Sequence, residues 1–181
     1  MKYVPHDYQN YATSRIIKDK ICGMFLDCGL GKTIITLTAL DELMYNYFKV
    51  YKVLVIAPLR VAQDTWSKEC EKWEHLKFLT ISKVLGSEKE RLKALAEKTA
   101  LYVINRENVE WLVKNYKWDF DMVVIDELSS FKSYSSKRFK ALRKIRPLTK
   151  RIIGLTGTPA PNGLMDLWAE IYLLDMGERL G

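Results

Sequence analysis

Short apolar runs alternate with helix-like patterns along most of the chain. Each run is bounded by polar or turn residues and has the length of a buried strand. Between the runs, apolar residues recur every three or four positions, as in a helix packed on a sheet. This alternation predicts an α/β fold with a mostly parallel sheet and helices on both faces. The predicted strands cover residues 21–26, 53–57, 78–81, 101–104, 122–125 and 151–156.

The predicted helices differ in what their apolar faces carry. The first covers residues 33–48, with Leu37, Leu40, Met44, Tyr47 and Phe48 at helical spacing. Charged helices are expected over 88–98 and 107–116. The helix after Pro58 places tryptophans on an inward face that we interpret as core, namely Ala62, Trp66, Cys70 and Trp73.

Composition predicts a single domain over residues 1–181. The chain has no internal repeat or linker-like stretch, and 48% of its residues are hydrophobic, enough for one core. The net charge of +7 suits a polyanionic partner such as nucleic acid. Three cysteines without paired spacing argue against a disulfide or zinc framework and favour a reducing compartment. No apolar run reaches the ~18 residues of a membrane span, so we expect a soluble cytoplasmic protein with no membrane partner.

The first strand runs into a glycine loop that opens a helix. Glycines let such a loop turn tightly, so that the N–H groups of Gly29, Leu30 and Gly31 can cradle phosphate. Lys32 would reach the β- and γ-phosphates, and the Thr33 hydroxyl would bind Mg²⁺. The general P-loop pattern has a glycine where this chain has leucine, and an ordinary strand-to-helix turn is the alternative. The loop is Asp27-Cys28-Gly29-Leu30-Gly31-Lys32-Thr33, preceded by Leu26.

Two adjacent carboxylates, Asp126 and Glu127, end the apolar strand 122–125. The carboxyl ends of parallel strands share one edge of the sheet, so this pair should lie near the glycine loop. Asp126 would hold Mg²⁺ together with Thr33, and Glu127 would polarise an attacking water. Alone, the pair could equally end the strand and cap the next element.

The last strand leads into a turn rich in small and hydroxyl residues. Its hydroxyls can hydrogen-bond the acid pair or sense the γ-phosphate, although such a string is often only a turn. The turn is Thr156-Gly157-Thr158-Pro159-Ala160-Pro161-Asn162.

The order of these segments resembles the N-terminal RecA-like lobe of superfamily-two helicases, most closely the Swi/Snf-like ATPases. The resemblance covers nearly the whole chain. The chain also resembles the short members of the family found in bacteriophages and prophages. A family histidine that couples hydrolysis to movement is replaced by Ser129. The matching segments are Tyr8-Gln9 (Q motif), 27–33 (motif I), Ala57-Pro58-Leu59-Arg60 with Trp66 and Glu69 (motif Ia), Asp126-Glu127-Leu128-Ser129 (motif II) and 155–162 (motif III).

The resemblance implies a single P-loop lobe of a DNA-dependent ATPase that uses ATP and Mg²⁺ to move on duplex DNA. The implied catalytic residues are Lys32, Asp126 and Glu127, and the implied metal ligands are Thr33 and Asp126. The amide of Gln9 would read adenine. Nucleotide binding is thus expected at Gln9, Gly29, Leu30, Gly31, Lys32 and Thr33.

The resemblance also indicates where DNA would bind. Arg60 follows motif Ia, on the side where the family tracks a DNA strand, and Lys132 lies just after motif II. Nine basic and no acidic residues occur from 131 to 151. An apolar stripe there predicts a helix with a basic outer face, which could be a solvated surface or contact phosphates. We find no base-reading device and expect no sequence specificity.

In this family a second RecA-like lobe supplies an arginine finger, worth about 10³ to 10⁵ in rate. No second set of strands follows here, so we expect a piece of a longer protein that binds nucleotide weakly and hydrolyses it poorly. Two other classes stay open: a self-sufficient P-loop phosphotransferase, and a non-catalytic DNA-binding module that has kept the fold.

Overall fold

The computed structural model describes residues 1–159 and 163–179. Six strands form one sheet in the order β1-β6-β5-β2-β4-β3, and every neighbouring pair is parallel. The predicted α/β class with a parallel sheet is therefore confirmed. The strands are β1 (Ile21–Phe25), β2 (Val53–Ala57), β3 (Ile81–Val84), β4 (Leu101–Asn105), β5 (Met122–Asp126) and β6 (Arg151–Thr156).

Helices cover both faces of the sheet, as predicted. Helices α1 to α3 share one apolar cluster with Val53 and Val55 of β2, whereas α4 to α7 share another with Leu54 and Ile56. Alternate residues of one strand thus serve opposite cores, which explains why the strand is apolar at every position. The helices are α1 (Asp7–Lys18), α2 (Lys32–Asp41), α3 (Trp66–Lys72), α4 (Glu88–Ala96), α5 (Val109–Asn115), α6 (Lys137–Ile145) and α7 (Leu164–Asp175).

The third strand lies later than predicted, at Ile81–Val84 rather than 78–81. Phe78 is 83% exposed, and pairing with β4 begins only at Ile81. Ser82 is buried because its hydroxyl donates a hydrogen bond to the carbonyl of Ala94 at 2.8 Å. A serine whose hydroxyl is hydrogen-bonded therefore occupies a core position, and the apolar pattern, which placed this strand at 78–81, did not predict it.

Helix α2 is shorter than the predicted 33–48. It passes into a π-helical turn at Glu42–Asn46, and Phe48 then takes a left-handed backbone with φ of 52°. The wider turn changes the phase of the helix, so Tyr47 and Phe48 are 50% and 65% exposed rather than buried. Within the described ranges, no helix is both long and apolar enough to cross a membrane.

Candidate nucleotide site

The glycine loop joins β1 to the first residue of α2. Gly29 and Gly31 both have φ of 83°, a left-handed conformation that favours glycine. Lys32 begins the helix, and its Nζ donates hydrogen bonds to the carbonyls of Leu26 at 2.7 Å and Asp27 at 3.2 Å. The ammonium group therefore lies against the loop itself, at the positive end of the helix dipole.

Gln9 connects α1 to this loop. It is buried, its Nε2 donates to the carbonyl of Leu30 at 3.4 Å, and its Oε1 accepts from the backbone N–H of His6 at 2.9 Å. The hydroxyl of Tyr8 donates to the same Leu30 carbonyl at 3.1 Å. A carboxamide has two donors and two lone pairs, so Gln9 retains the capacity for further hydrogen bonds.

Asp126 ends β5, and its Oδ2 accepts a hydrogen bond from the indole Nε1 of Trp66 at 3.0 Å. Burial raises the pKa of Asp126 above its ordinary value, while the Trp66 hydrogen bond and the charge of Lys32 oppose that rise. The predicted placement of Trp66 in the core is confirmed, since it is 0% exposed. Its polar contact was missed, because helical spacing shows which face is buried but not where an N–H points.

Glu127 follows Asp126 in a left-handed conformation with φ of 61°. Its Oε1 accepts hydrogen bonds from the hydroxyls of Ser129 at 2.6 Å and Thr156 at 3.1 Å, and the N–H of Thr158 donates to Thr156 at 3.2 Å. The predicted bond from the threonine turn to the acid pair is confirmed for Thr156. The contact of Ser129 was missed, and residues 160–162 of this turn lie outside the described residues.

One cleft of about 670 Å³ contains most of the predicted site. Leu30 does not line it, although the carbonyl of Leu30 anchors Tyr8 and Gln9. No group of three or more His, Cys, Asp or Glu side chains suited to a metal occurs in the described part of the chain. Predicted site residues that line the cleft are Gln9, Gly29, Gly31, Lys32, Thr33, Asp126 and Glu127.

The donor set nevertheless suits Mg²⁺. Thr33 and Asp126 line the same cleft and offer a hydroxyl and a carboxylate, both hard oxygen ligands. Magnesium is usually held by one or two carboxylates together with substrate phosphates, rather than by a cage of protein ligands. A third acidic ligand is therefore not required.

The two predicted DNA-contacting residues lie outside the cleft. Arg60 is exposed and directly precedes a π-helical turn at Val61–Thr65. Lys132 is partly exposed, and its Nζ lies 3.7 Å from the Asp166 carboxylate. Both are thus accessible, but Lys132 has an ion-pair partner.

The basic run after motif II is only partly exposed. The predicted helix is present as α6, with Phe139, Leu142 and Ile145 buried. Arg146 and Arg151 are buried instead of joining a surface patch. They donate to the carbonyls of Leu174 in α7 and Ile16 in α1, at 2.7 and 2.9 Å. These two arginines are therefore not part of the expected basic surface, because they donate hydrogen bonds to carbonyls at the ends of α7 and α1 that the helices leave unpaired.

Comparison with known sequences identifies the family. The profile of the SNF2-related domain matches residues 8–178. This chain belongs to that family. The family implies a nucleotide-binding ATPase/helicase domain with a RecA-like fold, so the predicted resemblance to Swi/Snf-like ATPases is confirmed.

The SNF2 domain of this chain has relatives in phages, fungi and archaea. It is 40% identical to "Putative protein p41" of Acyrthosiphon pisum secondary endosymbiont phage 1, over 99% of this chain and 41% of that protein. It is 27% identical to "Helicase swr1" of Aspergillus fumigatus, over 93% of this chain and 10% of that protein. The "Sulfolobus solfataricus SWI2/SNF2 ATPase core in complex with dsDNA" superposes with a TM-score of 0.80 and 27% identity, over 98% of this chain and 37% of that chain. The SNF2 domain thus spans less than half the length of each.

Proposed function

We propose that this chain is the nucleotide-binding lobe of a DNA-dependent ATPase that moves on duplex DNA. One observation carries the proposal: the carboxyl ends of the adjacent strands β1, β6 and β5 bring the glycine loop, the threonine turn and the acid pair together. Parallel α/β sheets bind ligands at this edge. The same cleft therefore offers hydrogen-bond donors for phosphate, hard oxygen ligands for a metal ion and a carboxylate base.

The phosphate loop would bind the triphosphate of ATP through backbone and side chain together. Gly29, Leu30 and Gly31 would donate backbone N–H groups, and the ammonium of Lys32 would exchange the Leu26 and Asp27 carbonyls for phosphate oxygens. The charged phosphate is the stronger acceptor, which favours this exchange. Gln9 would use its remaining hydrogen-bonding capacity for adenine.

Thr33 and Asp126 would hold Mg²⁺, which neutralises charge on the phosphate oxygens when it is bound. Glu127 would accept a proton from the attacking water. The hydroxyls of Ser129 and Thr156 bind one oxygen of Glu127, so the orientation of its carboxylate is fixed before substrate arrives. By resemblance, an arginine finger would come from a second RecA-like lobe.

Support for duplex DNA as the partner comes from charge and from the archaeal SWI2/SNF2 core, which was solved with dsDNA. The net charge is +7, and the exposed Arg60 lies just beyond the carboxyl end of β2. Lys132 would have to exchange Asp166 for a phosphate. Contacts to phosphate carry no sequence information, and they weaken as salt rises.

The proposal is tested by nucleotide binding to this chain, and by turnover of the chain alone and joined to a second RecA-like lobe. We expect Lys32→Ala to lose ATP binding, Glu127→Gln to bind without turnover, and the exposed control Lys98→Ala to behave as wild type. Duplex DNA should stimulate turnover of the joined protein, less so with Arg60→Ala.

Two results would overturn this assignment in different directions. Phosphate transfer to a small molecule without any effect of DNA would indicate a phosphotransferase. DNA binding that survives Lys32→Ala and ignores ATP would indicate a non-catalytic binding module.

A further inference from the structure

The indole of Trp66 makes a polar contact that core packing does not require. The side chain is 0% exposed, and its Nε1 donates to Asp126 Oδ2 at 3.0 Å. Trp111 and Trp118 show the alternative, because their buried indole N–H groups have no hydrogen-bond partner in the described structure. Trp66 does not itself line the cleft, so its bond connects the core to an acid that does.

We propose that Trp66 is a positioning residue for the cation site, which it serves by holding Oδ2 of Asp126 and so fixing the orientation in which this carboxylate meets the metal ion. The inference rests on the proposed function, in which Asp126 binds Mg²⁺. It assigns to a residue of the motif Ia helix a role in the chemistry at the end of β5.

Three properties make an indole suited to this role. It has a donor and no acceptor, so it cannot compete with Asp126 for the cation. It is rigid and enclosed by the core, so the donor stays in place when the cation is absent. The last torsion of an aspartate is broad, so a fixed side-chain donor, added to the backbone N–H of Glu127 that also bonds this carboxylate, removes much of its rotational freedom.

Trp66→Phe removes the donor and retains an aromatic ring. Loss of an outer partner of a metal ligand typically weakens metal binding 10- to 100-fold. Trp118→Phe is the matched control, because it removes a buried indole N–H that has no hydrogen-bond partner among the described residues and does not line the cleft.

The test measures Mn²⁺ affinity by electron paramagnetic resonance, with a non-hydrolysable ATP analogue bound. We expect Trp66→Phe to weaken Mn²⁺ by about 10- to 100-fold, to leave binding of the analogue without divalent cation unchanged, and Trp118→Phe to match wild type. Equal Mn²⁺ affinity in Trp66→Phe and wild type would overturn the proposal.

A second measurement uses the wild-type chain and does not depend on a variant that folds. The chain has five tryptophans, so its ¹H–¹⁵N spectrum contains five indole signals. After assignment, Mg²⁺ with the analogue should shift the Trp66 signal more than that of Trp118. A Trp66 signal that does not move would refute the positioning role. If Lys32→Ala binds the analogue as tightly as wild type, the proposed function itself fails, which is a different result.

Discussion

The two glycines of the phosphate loop share a backbone angle but have different surroundings. Both have φ of 83°, yet, apart from its chain neighbours, a Cβ on Gly29 would meet no atom of the described residues within 4 Å. A Cβ on Gly31 would lie 2.7 Å from Gln9 Nε2 and 3.1 Å from Ile34 Cγ2. Gly29→Ala therefore introduces backbone strain alone, whereas Gly31→Ala adds a clash with the side chain that joins α1 to the loop.

General costs of backbone strain and overpacking set the size of each effect. A left-handed backbone costs a non-glycine residue about 1–2 kcal/mol. Overpacking at a buried site adds about 1–3 kcal/mol, because Gln9 is buried and both ends of its amide are hydrogen-bonded. We therefore expect Gly29→Ala to lower the free energy of unfolding by about 1–2 kcal/mol and Gly31→Ala by about 2–5 kcal/mol.

Urea unfolding followed by far-UV circular dichroism measures both losses. The decisive comparison repeats Gly31→Ala in a chain that also carries Gln9→Ala. With the obstructing amide removed, the cost of Gly31→Ala should fall towards that of Gly29→Ala. Equal losses at the two glycines, or a Gly31→Ala cost that is unaffected by Gln9→Ala, would refute the reasoning.

Three further predictions concern stability away from the cleft. Burial lowers the pKa of His75 below 6.5, so the fold should lose stability as pH falls below 6.5. His75→Gln should make the urea midpoint depend less on pH between 7.5 and 5.5. Wild-type and variant midpoints that change in parallel with pH would contradict this. Gly154→Ala places a Cβ 2.5 Å from Leu128 Cδ2 and should lower the free energy of unfolding by about 1–3 kcal/mol. The same substitution should cost less in a chain that also carries Leu128→Ala, and losses that simply add would argue against the clash. Arg151→Met leaves carbonyls at the end of α1 unpaired and should cost about 1–3 kcal/mol in thermal unfolding; an unchanged midpoint would show that water replaces the arginine.

The fold could be predicted because most strands are covered on both faces. Every residue of β2 and β4 is buried, and β2 and the first four residues of β4 form uninterrupted apolar runs, with the buried Asn105 ending the second. β3 is an edge strand in which exposed Lys83 and hydrogen-bonded Ser82 interrupt the run. The position of β3 depends on its pairing with β4, and that pairing cannot be predicted from the local sequence.

Part of the candidate site could also be predicted from the sequence. The loop and the acid pair are short contiguous segments at strand ends, where a parallel sheet brings them together. The donors to the acids are not contiguous with them, apart from Ser129. Helical spacing correctly placed Trp66 in the core but gave no sign of its hydrogen bond to Asp126. Arg151 was interpreted as surface because it is charged, yet it is buried. In both cases the deciding fact is the direction of a polar atom.

The sheet order explains how the two acids are held separately. β5 lies between β2 and β6. Asp126 is bound from one side by Trp66, in the helix that follows β2, and Glu127 from the other side by Thr156, at the end of β6. The helix after β2 also follows Arg60, the proposed DNA contact. A shift of that helix would therefore act on Asp126, the proposed cation ligand, whereas a shift of the threonine turn would act on Glu127, the proposed base. Changes at Trp66 should then appear mainly in metal affinity, and changes at Thr156 mainly in turnover.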